Sequence, residues 1–420
     1  MNIFESVRIS WRNIREHKLR STLTTLGVII GVAAVITFVT LGASLQQDII
    51  STVAGGNAAT MYVTAQSPSD SQVPSLGSSE QAVFTQHDVN QMRQLEGVRY
   101  AVPESGIAAS SVNYNNSSVA RQFVTVTSPD YFRVRDLSFV AGGPFEQGRE
   151  EVVLNRPAAR MFSGGNVSVG DNITFTRAVN GEQLNATVVG IVEGEGSGSV
   201  LGFEQGPQPR VYAPTEPYYQ RTVYSPAVNA RQQVYGRILV TARSPGQVDA
   251  VQGQVYNYLG RDSDARSHKP QNYEFKVTTQ DQIVNQVKQL TNTFTAYITG
   301  IAVISLIVGS IGIANIMLVS VTERTREIGI MKAVGAQSRD VLQLFLLEAV
   351  MLGVLGSALG ATVGLLGGYL GAEAIGLPLA FQPIWFGAAV LVGIVVGVLA
   401  GLYPAWDASK TDPIDALRYE

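Results

Sequence analysis

Cysteine is absent from all 420 residues, which excludes disulfides, thiolate metal sites and cysteine nucleophiles. Any large domain outside the cytoplasm must therefore hold together by its own core. Histidine occurs three times, and His87 and His268 stand isolated, without a neighbouring metal-ligand pattern. There are only six lysines, and none follows a glycine, so the phosphate-cradling G-x-x-x-x-G-K-[ST] loop is missing. Charged residues make up 15% of the chain and the net charge is −3, a balance that argues against bulk nucleic-acid binding. The excess of arginine over lysine reads as a compositional bias without functional content.

Charge is absent from long stretches. Ser21–Gln47, Gln289–Thr322, Ala349–Ala372 and Ala374–Trp406 contain no Asp, Glu, Lys or Arg and are rich in aliphatic residues. About 20 mostly apolar residues cross a bilayer as a helix. The pattern therefore predicts four spans, at 20–47, 289–322, 341–372 and 384–406, the last starting beyond Pro378 and Pro383. The first apolar run is too long for a cleaved signal core, so an anchor is the better reading. Arg8, Arg12, Arg15, Lys18 and Arg20 precede the first span, and Arg324, Arg326, Lys332 and Arg339 lie between the second and third. The 373–383 connection has no Lys or Arg, whereas the 407–420 tail has Lys410 and Arg418. The positive-inside rule then places both termini and the 323–340 loop in the cytoplasm of a multi-pass protein of the cytoplasmic membrane. Residues 48–288 and the short 373–383 hairpin fall outside. The expected fold is an α-helical four-transmembrane bundle with a large inserted α+β extracytoplasmic domain.

No ionisable residue sits at mid-depth in any span, which weakens ion-coupled transport. Glu348 comes nearest, one or two turns from the cytoplasmic end. Glycines recur three and four residues apart: Gly27 and Gly31, then Gly353, Gly356, Gly360, Gly364, Gly367 and Gly371, then Gly393, Gly397 and Gly401. Small residues on one helix face let backbones approach closely in lipid. Packing within one chain is the first reading, and dimerisation along one stripe the second.

Within the insertion, Met61–Ala65 reads as a strand and 67–79 as a Ser/Pro/Gly-rich mobile loop. Thr85 and Asp88 have capping-box spacing before a helix that Gly97 stops. Gln122–Thr127, Glu151–Leu154, Ala186–Val192 and Arg237–Ala242 read as strands, followed by a helix at about 246–259 and a strand at Tyr273–Thr278. The segment 115–230 looks β-rich and suggests a subdomain. Catalytic constellations are poor. Glu193 and Glu195 lie in a Gly-rich turn, and Tyr218, Tyr219 and Tyr224 near Arg221 suit strand packing as well as recognition. The chain is not expected to be an enzyme. Toward the N-terminus, Ile3, Phe4, Val7, Trp11 and Ile14 share one side of a 1–20 amphipathic helix, suited to the surface of membrane lipid.

The 323–340 loop is the most informative segment. Glu323-Arg324-Thr325-Arg326-Glu327-Ile328-Gly329-Ile330-Met331-Lys332-Ala333-Val334-Gly335-Ala336 is dense in charge and interrupted by apolar residues. Ile328, Met331 and Val334 can share one helix face, Gly335 can end that helix, and Ser338 can cap the next. A plain helical hairpin needs only a few turn residues, so a docked helix with a partner surface is expected. This segment resembles the E-R-x-x-E-I-G-x-x-K-A-x-G-A signature of MacB-type, FtsX-like ABC transporter permeases. Phe345-Leu346-Leu347-Glu348 matches the cluster that follows the signature. Tyr403-Pro404-Ala405 with Asp412-Pro413-Ile414-Asp415-Ala416-Leu417-Arg418 is similar to the family's ending. Trp11-Arg12-Asn13-Ile14, Lys18-Leu19-Arg20-Ser21 and Leu26-Gly27-Val28-Ile29-Ile30-Gly31-Val32 are similar to its opening.

The resemblance implies a permease homodimer with two copies of an ABC ATPase. MacB itself fuses ATPase and permease. Without a P-loop here, ATP and Mg are expected on a separate partner subunit, with no cofactor in this chain. Coupling to that subunit is expected at Glu323, Arg324, Arg326, Glu327, Ile328, Met331, Lys332 and Gly335. Helix packing or dimer contacts are expected at Gly27, Gly31, Gly353, Gly360 and Gly364. The implied activity is transmission of ATPase-driven motion to the external domain, for export or extraction of an antimicrobial, peptide or lipid-like substrate. An extracytoplasmic adaptor or substrate protein would be a further partner. Two alternatives stay open: an ATPase-coupled regulator of an external partner such as a cell-wall hydrolase, or a membrane-anchored receptor without ATPase.

Overall fold

The structure, a computed structural model, describes residues 8, 12, 18–54, 58–67, 81–163, 165–193 and 209–418. The apolar side of the 1–20 amphipathic helix, nearly all of the 67–79 loop and the Gly-rich run 194–202 lie outside those residues. The chain divides into two compact units, Met1–Gln47 with Gln289–Glu420, and Asp48–Lys288.

In chain order, α1 (Lys18–Ala54) precedes β1 (Thr60–Gln66), β2 (Phe84–Thr85), α2 (Gln86–Gln94) and the long pair β3 (Val98–Tyr114) and β4 (Ser117–Thr127). Then come α3 (Tyr131–Val134), β5 (Phe139–Gly142), β6 (Glu151–Asn155), α4 (Arg156–Ala159), β7 (Asn172–Arg177), β8 (Gln183–Val192) and β9 (Val211–Pro214). The unit closes with α5 (Thr215–Tyr218), β10 (Thr222–Ser225), β11 (Ala230–Tyr235), β12 (Arg237–Ala242), α6 (Val248–Arg261), α7 (Ala265–His268) and β13 (Glu274–Thr279). The remaining helices are α8 (Gln280–Glu323), α9 (Thr325–Ala333), α10 (Ser338–Ala374), α11 (Ile384–Lys410) and α12 (Pro413–Arg418).

In the inserted unit, ten strands form one sheet in the order β13-β1-β12-β3-β4-β9-β6-β8-β5, with β7 pairing β3 and β8. Both β13 and β12 run antiparallel to β1, and β1 and β3 both run antiparallel to β12. Two split β-α-β units, β1-α2-β3 and β12-α6-β13, therefore interlock. The segment 115–230 is β-rich; its β10 joins β11 and β2 in a second sheet of three strands, and its earlier strands belong to the ten-stranded one. Its strands β4 to β9 extend the same sheet, through β4 on β3 and the parallel pairs β4–β9 and β6–β8. Every residue of β12 is buried, as expected of a strand covered on both faces.

Two buried carboxylates hold α2, α6 and the β10–β11 turn together. Thr85 caps α2, with its hydroxyl accepting from the Asp88 amide at 3.3 Å while Asp88 accepts from the Thr85 amide at 2.9 Å. Asp88 also accepts from the Tyr258 hydroxyl at 2.7 Å and from the amides of Asp264 and Ala265. Asp264 accepts from the Ser225 hydroxyl and from the Ala227 amide. Burial raises the Asp88 carboxyl above the ordinary value of 3.8 against its hydrogen bonds. Burial pushes Asp264 the same way, but hydrogen bonds from Ser225, Ala227 and Thr85 outweigh it, so its carboxyl sits below 3.8.

The other unit is a bundle of apolar helices. Thr25–Asp48 of α1, together with α8, α10 and α11, are long and apolar enough to cross a membrane. All five glycines expected at packing or dimer contacts are occupied inside this chain. A Cβ on Gly27 would lie 2.7 Å from the Gly309 Cα, and one on Gly31 would lie 3.3 Å from the Ala302 carbonyl oxygen, joining α1 to α8. At Gly360 and Gly364 it would lie 2.8 and 2.7 Å from the carbonyl oxygens of Ile29 and Ala33, joining α10 to α1. At Gly353 it would lie 2.2 Å from the Gly393 carbonyl oxygen, joining α10 to α11. These are contacts within one chain. On α11, the Trp385 indole donates to Gln382 at 3.1 Å, and the Lys410 ammonium sits 3.3 Å from the Trp406 ring centre. At 1.5 Å per residue the two tryptophans are about 31 Å apart, the thickness of a hydrocarbon core. That separation suits tryptophans at the two interfaces of a bilayer.

Two outcomes are expected. Gly353→Val should cost about 1–3 kcal/mol by overpacking, read as a lower Tm of the detergent-solubilised chain. In the inserted unit, Asp88 supplies stability that is present below pH 3.8 and lost as pH rises through its raised pKa. Asp264 supplies stability that is present above pH 3.8 and lost as pH falls through its depressed pKa. Hydrogen exchange of residues 84–95 should therefore be slowest near pH 4 after correction for intrinsic rates. Asp264→Asn should flatten the acid limb of that profile and Asp88→Asn the other limb.

Candidate functional site

The segment that the sequence marks as most informative folds as α9, nine residues between two spans. Arg324 breaks the run from α8 with φ −106° and ψ 15°, and Thr325 binds the last carbonyls of α8, those of Val321 and Thr322. Gly335 ends α9 at φ +107°, a conformation that favours glycine. The Ala336 amide donates back to the Met331 carbonyl at 3.0 Å, closing a Schellman turn. The next helix is capped by Gln337, not Ser338. Gln337 and Asp340 form the capping box, and Ser338 is the first helical residue.

Arg324 connects α9 to α10. Its Nε donates to Glu327 at 2.9 Å, its Nη1 lies 3.5 Å from the buried Glu348 carboxylate, and its guanidinium lies 5.5 Å from the Phe345 ring centre. Phe345 and Glu348 are neighbours one turn apart on α10, so the arginine spans a ring and a carboxylate on one helix face. Ile328 is fully buried in one cluster with Phe345, Val341, Ala405 and Ala408, and Met331 packs against that cluster. Lys332 donates to the carbonyls of Ser409 and Thr411 at 2.7 and 2.8 Å. Gly329 is buried against Ala416 of α12.

These contacts divide the expected coupling residues into two groups. Arg324, Ile328, Met331 and Lys332 are at least partly buried against neighbouring helices, whereas Glu323, Arg326, Gly335 and the Arg324-bound Glu327 are exposed. Val334 does not share the buried face of Ile328. It is 85% exposed, and with Ile330 at 49% it forms an apolar pair on the open side. The i, i+4 spacing of those two residues was the signal available for this face, and the richer 328/331/334 pattern concealed it. Elsewhere the structure gathers no site at the tyrosines. Tyr218 and Tyr219 are buried, with hydroxyls bound to the Asn185 and Val234 carbonyls, and only Tyr224 is exposed. Glu193 pairs with Arg156 at 2.8 Å.

Four apolar helices, a large α/β unit inserted after the first, and a connector helix with one engaged and one open face define a multi-pass membrane protein. Residues 21–258 match the MacB-like periplasmic core domain, and residues 299–413 the FtsX-like permease C-terminal domain. The ABC transporter permease YknZ of Bacillus subtilis (strain 168) is 30% identical over 429 residues, covering 100% of both chains. The macrolide export ATP-binding/permease protein MacB of Escherichia coli (strain K12) is 33% identical over 430 residues, covering 99% of this chain. The chain spans 61% of the length of that relative. Among solved structures, the periplasmic region of MacB from Actinobacillus actinomycetemcomitans aligns at 15% identity with a TM-score of 0.41, over 57% of this chain and 97% of that one. The chain belongs to the MacB/FtsX-like family of ABC transporter permeases.

Removing one partner of a largely buried ion pair leaves the other charge uncompensated. Arg324→Met or Glu348→Gln should each cost about 2–4 kcal/mol of thermal stability. The double variant should cost clearly less than the sum, with a coupling of about 1–3 kcal/mol in a double-mutant cycle. Additive losses would show that the pair does not interact.

Proposed function

We propose that this chain is the membrane-spanning half of a MacB/FtsX-type transporter and that α9 docks an ABC ATPase carried on a separate subunit. The observation that carries this reading is the two-sided character of α9. Its inner face is consumed by Ile328, Gly329 and Lys332, while Arg326, Glu327, Ile330 and Val334 face outward. An apolar pair beside two charges of opposite sign suits a protein surface better than a solvated loop. In this reading the Lys and Arg bias puts α9 and both termini in the cytoplasm and residues 48–288 outside. ATP and Mg belong to the ATPase, since these 420 residues carry no P-loop.

The task proposed for the pair is export or extraction of an antimicrobial, peptide or lipid-like substrate by moving the inserted domain. A second copy of the chain is proposed along α8. Phe294, Tyr297, Ile301, Ile304, Val308 and Ile311 are all exposed and recur at alternating three- and four-residue steps. That is the period of two helices winding around each other.

Ile330→Glu with Val334→Glu should reduce co-purification of an ABC ATPase by about tenfold or more, as loss of a central apolar contact does. Retention at the native level would exclude α9 as the dock. In this cysteine-free chain, Ile304→Cys should form a disulfide-linked dimer on mild oxidation in membranes. A monomer under the same conditions would count against the α8 seam.

A further inference from the structure

A helix of nine residues is too short to persist on its own, so α9 must be held from the side. Both of its ends interrupt the helical run: Arg324 at φ −106°, and Gly335 at φ +107°. The C-terminal segment supplies two contacts between them. A Cβ built on Gly329 would lie 2.7 Å from the Cβ of Ala416, closer than real side chains approach, with the Ala416 carbonyl carbon and the Pro413 oxygen next at 3.6 Å. One turn on, Lys332 donates to the carbonyls of Ser409 and Thr411, where α11 ends. Terminal helix carbonyls lack intrahelical partners, and the negative end of the helix dipole favours a cation there. Ala416 and Ile328 are both buried. The asymmetry of α9 thus follows from what presses on its inner side.

We propose that α12 and the end of α11 form a bracket that sets the orientation of α9, with Gly329, Lys332 and Ala416 as its positioning residues. The bracket fixes which side of α9 faces outward, and it ties α9 to the last span as well as to α10. A shift of α11 then reaches α9 directly, through the Lys332 hydrogen bonds and the Gly329–Ala416 contact. The consequence for an ATPase rests on the reading of α9 as its dock; the bracket itself does not.

The test measures amide hydrogen exchange of residues 325–334 in the detergent-solubilised full chain, with the Tm of each variant as a check on the whole fold. In Gly329→Ala the added methyl collides with Ala416, and exchange should be at least about fivefold faster. Adding Ala416→Gly removes the colliding Cβ and should return exchange to near the native rate. Lys332→Met should give a similar acceleration with little change in Tm, which keeps the proposal testable if Gly329→Ala folds poorly. The sign is diagnostic, because alanine is a better helix former than glycine. Slower or unchanged exchange in Gly329→Ala would overturn the bracket, as would acceleration that Ala416→Gly does not relieve.

Co-purified ATPase is scored on the same preparations and should fall in Gly329→Ala and recover in the double variant. Equal retention in all variants would overturn the positioning role. If Ile330→Glu with Val334→Glu leaves retention unchanged, the docking reading fails, and the exchange measurements still decide the bracket.

Discussion

Direct backbone contact through glycine is the constraint on which the membrane-spanning unit depends. In hydrocarbon, exclusion of apolar surface gives no drive to bring helices together, so association rests on close van der Waals packing. At Gly353, Gly360, Gly364 and Gly397 an added Cβ would come within 3 Å of a backbone oxygen of the facing helix. The helices therefore touch along their main chains, and α10 lies between α1 on one side and α11 on the other. Because α10 is held so closely, Phe345 and Glu348 near its N-terminus give Arg324 a firm counterpart. The position of α9 follows from that anchorage.

Around α9, the first turns of α10 and the distant end of the chain, where α11 stops and α12 follows, come together. Arg324 reaches Phe345 and Glu348, Lys332 reaches the end of α11, and Gly329 meets Ala416. Phe345, Glu348 and Ala416 lie in stretches that resemble the permease family, and Ser409 and Thr411 lie between two of them. Each of these segments contributes one side of the pocket that seats a nine-residue helix. What remains open on α9 is small, apolar at Ile330 and Val334, and flanked by charge. The inserted unit is built on different principles, with a continuous sheet, strands buried on both faces and a buried carboxylate pair in place of disulfides.

Much of the layout was legible before any tertiary information. Charge-free runs located the four spanning helices, because a bilayer penalises charge so heavily that its absence over 20 residues is a strong signal. The Thr85–Asp88 capping box and the Gly335 terminus were also legible, since both are local backbone chemistry. Local chemistry also misled at one point, where Gln337 and not Ser338 became the cap. Nothing local marked β3 as a 17-residue strand, because its burial depends on partners as distant as β7 and β12.

The sequence alone determined where apolar helices run, how the chain is divided and which family's motifs it carries. Those properties reside in composition and short-range spacing. Tertiary structure decided which glycines face which helix, that β4 to β9 extend one sheet, and that Asp88 and Asp264 share a buried site. It also decided which side of α9 is open. Ile328 and Val334 lie about 120° apart on the helix, at the two edges of the apolar pattern 328/331/334, yet one is buried in the same cluster as Phe345 and the other is exposed. The difference lies in α10, α11 and α12, which press on one side of α9 only, and periodicity within nine residues carries no information about them.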